Sequence, residues 1–314
     1  MGLLMALAAA TVAGAPGAGE IVSLNGGLDG IVGKGARIEK LAGGFKFIEG
    51  PVWTRDGVLL FSDIPNDRIM RYDPKSGKVT EFRRPAGPTN GHTLDSQGRL
   101  VSCDHGNRRI SRTEKNGKVV TLVDRYRGKR FNSPNDLVYK SDGALYFTDP
   151  PYGLPKQDAD PAKELPSNGI YRLAPDGKTL TLLADDLKRP NGLAFSPDEK
   201  TLYVANSDVK RKLWMAYPVK ADGSLGRGRV FFDVTKEQAD GLPDGMKVDK
   251  AGHLYCTGPG GVWVFSAAGK HLGTLKPAEV PANLAFGGAD GKTLYMTART
   301  GLYRVRLQQA GPLP

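Results

Sequence analysis

The chain has 314 residues, 39% hydrophobic and 25% charged, which excludes a disordered chain and a bundle of membrane helices. Its 41 glycines and 22 prolines demand many turns and short elements, so long-helix bundles are excluded as well. The net charge of +11 is spread along the chain, mostly beside turns. The densest run, Asp124 to Arg130, has no basic helix or aromatic stacking motif with it, so nucleic acid is not an expected partner.

In chain order, the first feature is an apolar run from Leu3 to Ala18 with Ala13-Gly14-Ala15 near its end. It reads either as the end of a secretory signal, giving a periplasmic or secreted protein, or as an Ala/Gly-rich disordered tail on a cytoplasmic one. It is too short and too rich in Gly and Ala for a membrane anchor. Residues 1–20 are therefore set apart from a single domain expected over 21–314.

The body consists of short apolar runs broken by Asp-Gly, Asn-Gly and Pro-Asp turns, and one unit recurs. Its second runs are Val58-Leu59-Leu60-Phe61, Leu100-Val101-Ser102-Cys103, Ala144-Leu145-Tyr146-Phe147, Thr201-Leu202-Tyr203-Val204, His253-Leu254-Tyr255-Cys256 and Thr293-Leu294-Tyr295-Met296. The turns before them fall at Gly57, Gly98, Gly143, Glu199, Gly252 and Gly291, spaced by 41, 45, 56, 53 and 39 residues. Units of this length with about four strands each are propeller blades, so the spacing predicts an all-β, six-bladed β-propeller. The sixth unit lacks a clear fourth strand. Arg37-Ile38-Glu39-Lys40-Leu41, ahead of the first blade, is expected to supply it and so close the ring. Residues 154–168 are an insertion in the third blade: a lid, a contact to another subunit or a mobile polar loop. Cys103 and Cys256 occupy like positions in the second and fifth blades, across the ring from each other, and are expected to be free thiols. Without a CxxC or Cys/His cluster, no structural zinc is expected.

Eight residues before each of the six turns stand Glu49, Asn90, Asn135, Asn191, Asp244 and Asn283. All six precede a first strand, which lines the channel of a propeller, so they form a ring about one axis. Each carries a carboxylate or amide oxygen. A single such Asn would be a turn residue; six in register point to a shared role. Converging oxygens suit one hard divalent cation, calcium best, with zinc, magnesium, manganese and iron as alternatives. Glu49, Asn191 and Asp244 are the leading ligands and Asn135 the next; Asn90 and Asn283 are left for substrate or water. His92, two past Asn90, and His105, beside Asp104, are further candidates for substrate binding or proton transfer, whereas His253 and His271 sit beside turns and read as surface residues. No Gly-x-Ser-x-Gly elbow is present, which argues against a Ser-His-Asp hydrolase.

Several of these segments carry a family resemblance. They are Glu49-Gly50-Pro51-Val52-Trp53, Arg130-Phe131-Asn132-Ser133-Pro134-Asn135-Asp136, Arg189-Pro190-Asn191-Gly192-Leu193 and Pro243-Asp244-Gly245-Met246. Together they resemble the gluconolactonase/regucalcin/luciferin-regenerating enzyme family. Tyr146-Phe147-Thr148-Asp149-Pro150-Pro151-Tyr152-Gly153 is similar to its bacterial sugar lactonase branch. The resemblance implies a six-bladed propeller, one divalent cation in the channel, and hydrolysis of sugar lactones in carbohydrate metabolism. It places the metal ligands on Glu49, Asn191 and Asp244, with Asn135 on metal or substrate. Arg130 stands five residues before Asn135, farther than the arginine some members place near substrate.

The expected function is metal-dependent opening of a small-molecule lactone, with Asp244 as general base. Asn90, Asn135, His105 and Arg130 would orient hydroxyls. A related ester or phosphotriester hydrolase is one alternative. A non-catalytic binding propeller with a structural ion is the other. A monomer or small homo-oligomer without a membrane anchor is expected.

Overall fold

A computed structural model describes residues 18–313, so the run from Leu3 and its small-residue motif lie, apart from Ala18, outside the described residues. Six antiparallel sheets form six blades. Their inner strands are Ile48–Trp53, Thr89–Leu94, Leu137–Tyr139, Pro190–Phe195, Met246–Val248 and Pro281–Gly287. Each inner strand touches the next, and the sixth touches the first, so the ring is closed around a central channel. The second strands, Leu59–Asp63, Leu100–Asp104, Leu145–Asp149, Thr201–Asp208, Leu254–Gly258 and Thr293–Ala298, contain the apolar runs that recur in the sequence.

The sequence folds this way because its apolar positions have blade faces to bury. Six buried clusters lie between neighbouring blades. Tyr255, Val262, Leu284 and Leu294 fill the fifth–sixth interface; Phe45, Phe61, Tyr295 and Leu302 fill the sixth–first. Burying both faces of each sheet is the main source of stability in such a fold. Cys103 and Cys256 are buried and free, on the second strands of the second and fifth blades.

The sixth blade takes its outer strand from Ile38–Ala42, which pairs antiparallel with Gly301–Arg306; Ile38 lies opposite Val305. The Glu39–Arg304 ion pair at 2.8 Å spans that seam. A second early strand, Gly19–Ser23, adds a fifth strand to the fifth blade, with Ile21 opposite Leu275. The domain boundary expected at residue 21 therefore falls inside a strand. Among the described residues, no helix is long and apolar enough to cross a membrane.

Two features position the ring. The first is a register shift in the inner strands at Glu49/Val52, Thr89/His92, Pro190/Leu193 and Pro281/Asn283. Such bulges turn a side chain out of the strand's alternation. Glu49, Asn90, Asn191 and Asn283 thus lie inside their strands at a bulge, while Asn135 and Asp244 stand two residues ahead of theirs. The second is close approach between blades. A Cβ on Gly192 would stand 2.4 Å from the Asp244 carbonyl oxygen, and one on Gly245 would stand 2.1 Å from the Asn283 side chain. Only glycine lets adjacent ring residues come this near.

The insertion in the third blade is pinned. Leu154 and Leu165 are buried. Asp158 pairs with Arg189, Arg108 donates to the Ala162 carbonyl at 2.9 Å, and Glu164 accepts from the Arg130 backbone at 2.7 Å.

Candidate active site in the channel ring

Glu49, Asn90, Asn135, Asn191 and Asn283 are all buried, and Asp244 is half-buried. A third carboxylate, Asp136, joins Glu49 and Asp244. Burial, then the charge of Asp136, pushes the Glu49 carboxyl up to about 7. Asp244 is driven well above the usual carboxylate range by burial, then by Glu49 and Asp136. Burial also raises Asp136. The Lys247 ammonium opposes this charge at Glu49 and Asp136. Two buried carboxylates and one half-buried one stand within Coulombic reach of one another and of the Lys247 charge, a set whose repulsion a multivalent cation could relieve.

The amides divide into two kinds. Asn283 turns its Oδ1 to its own strand, accepting from the Leu284 N–H at 2.8 Å, and its Nδ2 donates to Asp136 at 3.2 Å. Its amide also hydrogen-bonds Glu49, so it bridges two of the carboxylates. Asn191 donates through Nδ2 to Ser207 Oγ at 2.9 Å, and its buried Oδ1 has no hydrogen-bond partner. An orphaned amide oxygen beside buried carboxylates is the donor set of a hard cation. Among the described residues, no group of three or more His, Cys, Asp or Glu is arranged to hold a metal by itself, so a shell here has to draw on the amides.

Of the two histidines, His92 is not at the ring. Its Nε2 meets Ser62 Oγ and its Nδ1 meets Ser102 Oγ, each at 2.8 Å, and burial lowers its pKa to about 3. It braces the first two blades as a neutral ring with no nitrogen left for substrate. Two residues along a regular strand point the same way, but the bulge between Thr89 and His92 breaks that period, so His92 does not join Asn90 as a candidate for substrate. His105 differs. It is 8% exposed, its ring nitrogens make no well-formed hydrogen bond although the Tyr152 backbone lies within reach, and burial brings its pKa down to about 4. Its ring closely approaches Gly153, where a Cβ would stand 2.1 Å from His105 Cδ2.

Arg130 ends a small hairpin, and its guanidinium donates to the Asn107 carbonyl at 3.3 Å, tying two rim loops together. Asp149 holds the next segment: its carboxylate accepts the Asn132 and Ser133 N–H groups, each at 2.8 Å, just ahead of Asn135. Asp63 does the same for Lys46 and Phe47 ahead of Glu49.

Two site residues escaped the sequence reading. Asp136 stands where four other blades carry the glycine that follows the ring residue, and that exception was its signal. Tyr152 brings its phenol beside Ser207, Asn191 and Asp244, and burial holds it up to about 12, so it stays a neutral donor. It lies in the Tyr146–Gly153 stretch already noted for its resemblance.

Comparisons with known proteins agree with the fold and identify the family. Residues 47–300 match the model of the SMP-30/Gluconolactonase/LRE-like region. A gluconolactonase of Zymomonas mobilis is 38% identical over 93% of this chain and 87% of its own length. The structure of XC5397 from Xanthomonas campestris, described as a gluconolactonase, superposes with a TM-score of 0.83 at 39% identity, covering 91% of this chain and 94% of that one. A regucalcin from Agrobacterium tumefaciens, described as a calcium-binding protein, shares the fold with a TM-score of 0.69 at 20% identity over 88% and 95% of the two chains. The chain belongs to the SMP-30/gluconolactonase/LRE-like family.

Proposed function

We propose that this protein is a metal-dependent lactonase that opens a sugar lactone to its hydroxy acid. The observation that carries the reading is the set of mutually repelling carboxylates Glu49, Asp136 and Asp244, with Asn191, whose buried Oδ1 is unpartnered, beside Asp244. Glu49, Asn191 and Asp244 would hold one divalent cation, with Asn135 beside them. Calcium is favoured by the all-oxygen donor set and by the calcium-binding regucalcin of the same fold. When bound, such an ion supplies Lewis acidity toward a carbonyl oxygen.

The chain's own residues do the rest. Asp244, half-buried and held at a raised pKa, accepts a proton from the attacking water as its oxygen adds to the carbonyl carbon. The ring C–O bond then breaks, and the leaving alkoxide takes up that proton, so water is added across one ester bond. His105 and the Tyr152 phenol present hydrogen-bonding atoms on the second- and third-blade side, where hydroxyls of the substrate would dock. Asn90 and Asn135, buried in the second and third blades, would complete that wall. The names of the gluconolactonase relatives support a six-membered aldonolactone as substrate.

The test is a panel of aldonolactones, an aryl ester and a phosphotriester, assayed after chelation and after adding back single metals. Lactone opening that vanishes with chelator and returns with one ion supports the reading. Turnover of only the aryl ester or phosphotriester makes it a related hydrolase. Metal binding without turnover of any of them makes it a binding propeller.

A further inference from the structure

An asparagine ligand works in only one of its two amide orientations, because one end offers oxygen and the other N–H. Something must therefore fix the flip of Asn191. Ser207, at the end of the second strand of the fourth blade, is placed to do so. Its Oγ stands 2.9 Å from Asn191 Nδ2 and 2.5 Å from the Pro243 carbonyl oxygen, and both side chains are 4% exposed. A carbonyl only accepts, so the single serine proton goes to Pro243. Toward Asn191 the serine can then only accept, which forces the amide to present Nδ2 to it and Oδ1 away from it. The Tyr152 phenol also lies within reach of that hydroxyl. Pro243 is the residue before Asp244, so one hydroxyl joins the amide of the fourth blade to the backbone that carries the carboxylate of the fifth.

We propose that Ser207 is a positioning residue that locks the Asn191 amide with its oxygen toward a divalent cation and ties that amide to the Pro243–Asp244 backbone. The inference rests on the cation reading above. It has a distinctive consequence: a carboxylate has an oxygen at both ends and no wrong flip. Asn191→Asp should make the site indifferent to Ser207.

The experiment uses the full chain, stripped by chelator and titrated calorimetrically with calcium and, separately, manganese. S207A and S207C should lose about tenfold or more in affinity, the usual effect of removing a residue that orients a ligand. S207T, which keeps the hydroxyl, should bind as the wild type does. The double variant S207A/N191D should bind close to N191D alone. Wild-type affinity in S207A and S207C overturns the inference while leaving the cation reading intact. So does an S207A/N191D protein that is folded, by its thermal melting, yet as weakened relative to N191D as S207A is relative to wild type. A wild-type protein that binds neither ion overturns the cation reading and this inference with it.

Discussion

Replacing Glu49 by Gln should stabilise the metal-free protein while weakening its hold on metal. The folded carboxyl titrates at about 7 against an ordinary 4.5. Folded protein therefore keeps this proton between those two values, whereas unfolded protein releases it. Stability falls as pH rises through that window, and the penalty is complete above the upper value. At about 1.4 kcal/mol per pH unit, the ionised Glu49 costs the metal-free fold about 3 kcal/mol at pH 8. At pH 5 the same linkage leaves under about 1 kcal/mol. For a domain of this size, 3 kcal/mol corresponds to roughly 5 °C in melting temperature. Glutamine keeps an oxygen for the Gly50 N–H, which now lies 2.6 Å from Glu49 Oε2. In chelator, E49Q should thus melt roughly 5 °C above wild type at pH 8, with the gap closing toward pH 5. Adding calcium should reverse the order, because wild type gains more from the ion. The reasoning is refuted if E49Q melts below wild type in chelator at pH 8, or if the gap does not shrink on acidification.

Asp244→Asn should lower the rate of lactone opening by about 10²–10⁴, the usual contribution of a positioned base, and should hurt more than Asn90→Ala; steady-state rates at saturating metal check this. Asn191→Ala should mainly weaken metal binding, so raising the metal concentration should restore part of its rate. Metal affinity of the wild type should fall as pH drops below about 7, since protons compete for Glu49, which titration calorimetry at several pH values would reveal. Asp149→Ala strips two buried N–H groups of their acceptor ahead of Asn135, at about 1–3 kcal/mol each; chemical denaturation should show that loss together with reduced activity. Cys103 and Cys256 are buried and their thiols are pushed up by burial, so a thiol reagent should label neither in the native protein and both after denaturation.

The blade count was legible because each blade repeats a buried strand after a glycine-marked turn, and those turns keep their spacing even where loops differ. The ring was legible for the same reason: a fixed offset of eight residues survives every insertion. What failed was direction. Two residues along a strand normally point the same way, yet the bulge after Thr89 turns His92 into the wall between Ser62 and Ser102. Partners distant in sequence were also hidden. Nothing local in Gly19–Ser23 says that it will add to a strand some 250 residues later, Thr274 facing Val22. The loop at 154–168 looks mobile by composition, but its fixation depends on Arg108, Arg130 and Arg189, which come from elsewhere. Asp136 was visible as an exception to the Asn-Gly and Asp-Gly pattern, and its meaning emerged only when it came to lie against Glu49 and Asp244.

The most direct test of the account is anomalous diffraction from crystals of the chain loaded with manganese. The account predicts one strong peak in the channel, within about 2.0–2.6 Å of oxygens from Glu49, Asn191 and Asp244, the range of hard-cation bonds. A peak elsewhere, or none in the channel at an ion concentration that supports lactone opening, would contradict it.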